Sequence, residues 1–167
     1  MKLTNKEFQD KIEGYISART FYLVAKTYQN DMTENQMWLC ITNQVTPEDY
    51  RWFAYYCQEN MTQEQLQRCI DKQKHAEDYL WIARECQDNM TEEHMQTCID
   101  HQFSAEDYRL IAYYCQYIMT EKQMQQCLEK QWSSDDFSMF MSYCQENMTE
   151  KQLNTCYREK IYLRNQK

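Results

Sequence analysis

The chain has 167 residues, with 18 basic and 26 acidic side chains and a formal net charge of −8. This charge disfavours non-specific binding to nucleic acids and anionic membranes, because both attract basic surfaces. The sequence contains one glycine, Gly14, and one proline, Pro47. Sheets and long loops need such turn residues, so the composition predicts helices joined by very short connections.

The first ten residues, MKLTNKEFQD, contain no apolar segment of the kind found in signal peptides. No run of apolar residues approaches the length of roughly 18 that a membrane-spanning helix needs. We therefore expect a soluble, cytoplasmic protein. In that compartment its nine cysteines would be reduced thiols.

A repeat of 29 residues runs along the whole chain. The dipeptide Met-Thr occurs at 32–33, 61–62, 90–91, 119–120 and 148–149, and Leu3-Thr4 holds the same position one period earlier. Cysteines follow the same spacing in two columns, which are Cys40, Cys69, Cys98, Cys127 and Cys156, and Cys57, Cys86, Cys115 and Cys144. A fixed period of this length is typical of a stacked helical array.

Each period predicts two short helices, which we call helix A and helix B. Helix A begins at the threonine of the Met-Thr pair; Thr62 is an N-cap, and Gln65 three residues later completes a capping box. Helix B begins near Thr46, His75, Ser104 or Ser133, and acidic pairs in its first turn favour the positive end of the helix dipole. Three asparagines before the Met-Thr pairs are predicted to adopt a left-handed conformation that ends helix B, namely Asn60, Asn89 and Asn147.

We predict an all-α, right-handed-type α-solenoid of about five and a half helical-hairpin repeats, with about eleven short helices. The repeats begin near residues 3, 32, 61, 90, 119 and 148 of a single domain over 1–167, with 1–31 and 148–167 as N- and C-terminal caps. The organisation resembles α-solenoids of the HEAT and tetratricopeptide type, although the 29-residue unit lacks the signature residues of either. That resemblance implies a scaffold that binds something.

A helical wheel predicts an apolar arc of roughly 200° on helix B, so we expect its columns to be buried and the helix to be packed on two sides, as in stacked hairpins. The columns in this arc are Tyr50/Tyr79/Tyr108/Phe137, Trp52/Trp81/Leu110/Met139, Phe53/Ile82/Ile111/Phe140, Ala54/Ala83/Ala112/Met141 and the Cys57 column. A glutamine column falls inside the narrower apolar arc of helix A and is predicted to bind free backbone groups, namely Gln44, Gln73, Gln102 and Gln131.

The segment CQENMTQEQLQRC, Cys57 to Cys69, allows a disulfide, half of a metal site, a glycosylation sequon or a packing unit. Cys57 and Cys69 would be offset by roughly 7–8 Å along adjacent helices, which exceeds the usual Cα separation of a disulfide. A zinc site needs closer cysteine pairs or nearby histidines, and neither occurs. We interpret the cysteines as small buried apolar side chains.

Helix B also presents columns that we predict to face solvent, forming a ridge of Tyr, Arg and Gln. Tyr and Arg are frequent hot-spot residues of protein interfaces. In helix A, Trp38 and Leu39 replace residues that are polar in later repeats, which predicts a contact with the first hairpin or with a partner. The resulting candidates for partner binding are Tyr22, Lys26, Trp38, Leu39, Arg51, Tyr55, Gln58, Arg84, Gln87, Arg109, Tyr113 and Gln116.

The sequence contains no catalytic constellation, and we expect no cofactor and no metal. A glycine-rich phosphate loop is excluded by the single glycine. We predict a non-enzymatic protein-binding module, an adaptor or a stoichiometric inhibitor. Its acidity is compatible with inhibition of a nucleic-acid-handling enzyme, as in toxin immunity or phage anti-defence. The alternatives are binding of RNA or a phosphate ligand along the Arg/Tyr ridge, and self-association into a structural array.

Overall fold

A computed structural model describes residues 2–13 and 17–166, so Gly14 lies outside the described residues. Within these residues the chain forms eleven α-helices and no β-strand. The all-α fold is therefore confirmed. The helices are α1 (Asn5–Ile12), α2 (Ala18–Tyr28), α3 (Glu34–Thr42), α4 (Pro47–Cys57), α5 (Gln63–Ile70), α6 (Ala76–Cys86), α7 (Glu92–Asp100), α8 (Ala105–Cys115), α9 (Glu121–Glu129), α10 (Ser134–Cys144) and α11 (Glu150–Arg164).

The helices group into two compact units, Met1–Thr91 and Glu92–Lys167. In the first unit, α4 packs against α2 and α6, and α3 packs against α5. In the second unit, α8 packs against α10, and α9 packs against α7 and α11. Like helices therefore lie side by side in two layers, as the repeat predicts. The right-handed sense and the continuity of one domain over residues 1–167 stay predictions.

The predicted starts of the helices are confirmed, because capping side chains stand where the repeat places them. Thr62 accepts a hydrogen bond from the backbone N–H of Gln65, and the Gln65 side chain accepts one from the backbone of Thr62. The same reciprocal cap begins α1, α3, α9 and α11. Helix B begins after Thr46, His75, Ser104 and Ser133. The second acid of each first turn also accepts the backbone N–H at the cap.

The predicted left-handed ending of helix B is wrong. Asn60, Asn89 and Asn147 each end a short 3₁₀ helix that continues α4, α6 and α10, respectively. A 3₁₀ helix keeps right-handed backbone torsions, so no left-handed residue is used there. The asparagine side chains instead bond the preceding repeat: Asn60 donates to Oε1 of Gln29 at 3.1 Å, and Asn147 to Oε1 of Gln116 at 2.8 Å.

The capping glutamine of helix A also joins consecutive repeats. While Oε1 of Gln65 caps its own helix, Nε2 donates to the carbonyl of Glu34 at 3.2 Å in the preceding repeat. In the second unit Gln123 reaches the carbonyl of Glu92, and Gln152 reaches that of Glu121, each at 2.9 Å. One amide therefore satisfies backbone groups at the starts of two helices.

The glutamine column at the other end of helix A binds backbone carbonyls, as predicted. Gln73 donates to the carbonyl of Cys69 at 2.7 Å and to that of Pro47 at 3.4 Å. Gln131 donates to Cys127 at 2.9 Å and to Ala105 at 3.4 Å. Gln44 and Gln102 each make the local bond to the cysteine four residues earlier. These side chains cap helix A, and two of them also reach the start of the preceding helix B.

All nine cysteines are buried thiols. They line the core beside fully buried Phe53 and Ile82 in the first unit, and beside Ile111 and Phe140 in the second. Burial raises the pKa of Cys40, Cys57, Cys86 and Cys144 to about 12, and that of Cys156 to about 11. Burial also raises the pKa of Cys69 and Cys127. The segment Cys57–Cys69 is therefore a packing unit, as we interpreted it.

Replacing Gln65 with Glu tests the joint between repeats. The glutamate still accepts the cap hydrogen bond from Thr62, but it has no N–H for the carbonyl of Glu34, and it buries a negative charge. We expect the free energy of unfolding, measured with urea, to fall by about 2–3 kcal/mol. The matched control is Gln63→Glu in the same first turn, because Gln63 is exposed. Equal effects of the two substitutions would contradict the double role of Gln65.

The buried thiols predict loss of stability at alkaline pH. Unfolding returns each thiol to its ordinary pKa of 9.0, so the unfolded chain releases protons that the folded chain retains. The stabilisation is complete below pH 9 and is lost as the pH rises from 9 towards 12. Each thiol contributes a slope of about 1.4 kcal/mol per pH unit to the free energy of unfolding.

Urea titrations between pH 8 and 10.5 measure this slope, and the Cys57→Ala variant isolates one thiol from the tyrosines that also ionise there. The variant is expected to show a slope that is shallower by about 1.4 kcal/mol per pH unit. Identical slopes for the two proteins would show that Cys57 ionises equally in both states.

Candidate interaction surface on the second helices of the repeats

The B helix α4 has a buried side, two lateral sides that face α2 and α6, and an outward side. In α4, Tyr50, Phe53, Ala54 and Cys57 are buried, whereas Trp52 and Tyr55 are exposed. Arg51 and Gln58 lie on a lateral side and reach across to the next repeat. The ridge predicted from the sequence therefore consists of two different surfaces.

The arginines of the ridge form ion pairs between repeats. Nη1 of Arg51 lies 2.6 Å from Oδ1 of Asp78, and Nη1 of Arg109 lies 3.4 Å from Oδ1 of Asp136. Arg51 is half-buried, and only 8% of Arg109 is exposed, so the predicted exposure of Arg109 is wrong. Each arginine supplies its charge to the first turn of the next B helix. Their contribution to binding a partner stays a prediction.

The glutamines of the ridge also join repeats. Nε2 of Gln58 donates to the carbonyl of Glu85 at 3.1 Å, and its Oε1 accepts from Asn89 at 3.0 Å. Gln116 makes the same two contacts, to the carbonyl of Tyr143 and to Asn147. Gln116 is only 8% exposed, which corrects the prediction that it faces solvent. Gln58 and Gln87 are half-buried.

A cluster of aromatic rings lies at the surface of the first unit. Five rings from α2, α4 and α6 form what we call the aromatic face: Tyr22, Trp52, Tyr55, Tyr56 and Trp81. The Trp52 and Tyr56 rings are nearly parallel with centroids 5.9 Å apart, and Trp52 meets Trp81 edge-on at 5.3 Å. Trp52 is 40% exposed and Tyr55 is 36% exposed. The prediction that the Trp52 column is buried is therefore wrong.

Two basic residues of the predicted ridge contact rings of the aromatic face, Lys26 at Tyr56 and Arg51 at Trp81. Nζ of Lys26 is exposed and lies 3.6 Å from the centroid of the Tyr56 ring, a cation–π contact. Burial raises the pKa of Tyr22, which therefore stays protonated at neutral pH. Desolvation is the largest single effect on Lys26 and opposes its charged form, but the hydrogen bonds and charge interactions with Tyr22 and Tyr56 together outweigh it and raise the pKa of Lys26. Arg84 pairs with Glu85 at 2.6 Å.

The second unit has a different surface on its B helices. Tyr113, which is 42% exposed, lies 5.0 Å from the ring of Tyr114 and 5.1 Å from that of Tyr143. The sequence from Leu110 to Thr120 contains no charged residue. Tyr113 is thus confirmed as an exposed residue, in a cluster of tyrosines without an adjacent lysine or arginine in that segment.

Trp38 and Leu39 lie apart from the aromatic face, on α3. Leu39 is exposed and lines a shallow groove of about 220 Å³ together with Phe8 and Gln9 of α1, whereas Trp38 is half-buried. The predicted contact with the first hairpin thus has support for Leu39. A contact with a partner stays a prediction for both residues.

A signal in the sequence could have placed Trp52 outside the core. At 100° per residue, Trp52 and Tyr55 point within roughly 40° of Glu48 and Glu59, whereas Phe53 and Cys57 point to the opposite side. Acidic residues occupy the position of Glu48 in each later repeat, at Glu77, Glu106 and Asp135. A charged column of this kind marks the outward direction of the helix.

A groove of about 450 Å³ lies between α2 and α4 at one side of the aromatic face, and we call it the first groove. Tyr22, Trp52 and Tyr56 form its aromatic walls. Arg19, Glu48 and Asp49 lie at its rim, and Oε1 of Glu48 accepts the indole N–H of Trp52 at 3.3 Å. The groove combines aromatic surface with two carboxylates.

Among the described residues, no group of three or more His, Cys, Asp or Glu is arranged to hold a metal ion. In the same part of the chain, no helix combines the length and apolar character needed to cross a membrane. Comparisons with protein-family models, curated proteins and solved structures found no match. The surface chemistry of the two units is therefore the basis for any functional proposal.

Replacing Gln116 with Ala tests whether this side chain joins two repeats or is an exposed side chain without a structural role. The substitution removes the bonds to Tyr143 and Asn147, so we expect the free energy of unfolding to fall by about 1–2 kcal/mol. Gln145→Ala is the control, because Gln145 occupies the same repeat position in the same unit but is exposed. It should change stability by less than about 0.5 kcal/mol. Similar losses in the two urea titrations would refute the assigned role of Gln116.

Proposed function

We propose that the chain is a non-enzymatic protein-binding module that acts as an adaptor or a stoichiometric inhibitor. The observation that carries this proposal is the aromatic face, where five rings from three helices meet and Trp52 remains 40% exposed. Clustered, exposed aromatic side chains are typical of the central part of protein interfaces. The rings restrain one another, so little conformational entropy is lost on binding.

The charge of the chain supports a basic partner. The net charge is −8, and the acids at the outward position of the B helices give each repeat a negative edge. A complementary basic surface would associate faster and be selected over acidic proteins. An inhibitor that occupies the basic cleft of a nucleic-acid-handling enzyme is the finer form of this proposal.

The alternative of RNA or phosphate binding has less support. Arg51, Arg84 and Arg109 each have a carboxylate partner, namely Asp78, Glu85 and Asp136. A phosphate would have to displace those carboxylates, and Arg109 is buried as well. Aromatic stacking alone does not distinguish nucleic acid from protein.

Affinity capture from the source organism, followed by measurement with the purified partner, tests the proposal. Replacing Trp52 and Tyr55 with Ser should weaken binding by about 30-fold or more, as for an interface hot spot. The control replaces Gln67 and Arg68 with Ser, on the outer side of α5. Thermal unfolding of each variant verifies that the fold is retained.

Calorimetry at low and high salt then tests the basic character of the partner. We expect affinity to fall as salt rises, because exposed charges are screened. Capture of nucleic acid, or equal loss of binding in the two double variants, would refute the proposed surface. Affinity that is independent of salt would refute the acidic-inhibitor form alone. Sedimentation at increasing concentration would reveal the self-associating alternative.

A further inference from the structure

Between α4 and α6, an arginine of the chain itself contacts an aspartate and an indole. Nη1 of Arg51 lies 2.6 Å from Oδ1 of Asp78, and Cζ of Arg51 lies 5.6 Å from the centroid of the Trp81 ring. Oδ2 of the same aspartate accepts the backbone N–H of His75 at the helix cap. The aspartate thus uses one oxygen for the cap and the other for a guanidinium beside an indole.

The first groove contains the same acceptor and indole, but no arginine stands at the repeat position of Arg51; the arginine that lines this groove, Arg19, is an exposed residue at its rim. One period earlier in the sequence, Asp49 holds the position of Asp78, Trp52 that of Trp81, and Tyr22 that of Arg51. Oδ2 of Asp49 accepts the backbone N–H of Thr46 at 2.8 Å and its hydroxyl at 2.7 Å. Oδ1 of Asp49 accepts no hydrogen bond from any described residue. An aspartate oxygen and an indole are therefore placed for a guanidinium that residue 22, a tyrosine, does not supply.

The other walls of the first groove favour a flat cation. Tyr56 lies nearly parallel to Trp52, and the carboxylate of Glu48 adds a second negative charge at the rim. Arg19 and Lys26 offset that charge, so net charge alone gives little attraction. A guanidinium can bond to a carboxylate and stack on an aromatic ring at once, whereas an ammonium is a compact, strongly hydrated charge. The groove should therefore distinguish arginine from lysine.

We propose that the first groove binds an arginine side chain of the partner protein, with Asp49 Oδ1 as acceptor and Trp52 as stacking surface. This assignment rests on the proposed protein-binding function and names the chemistry that the partner presents. The bound guanidinium would repeat the arrangement of Arg51 with Asp78 and Trp81. The arginine of the partner would occupy the space that an arginine at position 22 would otherwise fill.

The test titrates N-acetyl-arginine methylamide into the ¹⁵N-labelled protein and follows the indole N–H signal of Trp52, assigned with a Trp52→Phe variant. A saturable shift is expected, and the lysine analogue should bind about fivefold or more weakly. Asp49→Asn keeps an oxygen for the helix cap but removes the charge, and should weaken the arginine response about tenfold.

The decisive variant is Tyr22→Arg, which supplies the internal arginine found one repeat later. It should abolish the response to the arginine analogue and leave the melting temperature unchanged or higher. Tyr117→Arg, the same substitution at an exposed site in the second unit, should respond like the unmodified protein. A normal response from Tyr22→Arg, equal binding of the lysine analogue, or no saturable shift of Trp52 would overturn the assignment.

The same variants separate this assignment from the proposed function. A partner that is lost with the Trp52 and Tyr55 replacements but retained by Tyr22→Arg would leave the protein-binding function intact and refute arginine recognition. A partner that is lost with Tyr22→Arg and retained with Tyr117→Arg would support both.

Discussion

Short helices depend on partners for the backbone groups at their ends, and in this chain side-chain amides supply those partners. Each α-helix leaves four N–H and four C=O groups without a partner inside the helix. In helices of 8 to 11 residues, such as α5 and α6, these groups are a large share of the backbone. An amide both accepts and donates, so Gln65 can cap its own helix and bond the previous one. Neither a carboxylate nor a hydroxyl at position 65 could both accept the cap hydrogen bond and donate to the carbonyl of the preceding helix.

The amide bonds also determine which polar side chains are available for function. A column of Gln or Arg on a helix looks like a solvent-facing surface when one helix is considered alone. Once a second B helix lies beside it, Gln58 and Arg51 meet the carbonyl of Glu85 and the carboxylate of Asp78. The lateral side of the B helix is thus committed to the fold, and the outward side remains exposed. This division explains why polar residues are buried while Trp52 and Tyr55 are exposed.

The sequence predicts best the features that depend on neighbouring residues. Capping acts between residues three positions apart, so Thr62 and Gln65 predict the start of α5 directly. The burial of Cys57 and Phe53 follows from helical periodicity. The contacts of Gln58 and Arg51 involve partners 27 residues away, and they could not be predicted without knowing which side of the helix faces the next repeat. Trp52 was assigned to the core because a helical wheel counts a large apolar ring as a buried side chain. Glu48 and Glu59 point in nearly the same direction from the helix as Trp52, and they mark that direction as the outward one.

Differences between repeats carry more functional information than the features they share. A residue present at the same position in every repeat has a reason in the stacking itself, as the capping threonines do. When one repeat has a different residue at such a position, one member of a contact between repeats is lost and its partner residue is left available. Tyr22 stands where the next repeat has Arg51, and Asp49 keeps the oxygen that such an arginine would bond. The fold tolerates this loss because the cap and the glutamine contacts of the same repeat remain, as Gln29 still bonds Tyr56 and Asn60. The stability of the stack is thus distributed over several polar contacts, so the fold can lose one of them at the position where we propose that a partner binds.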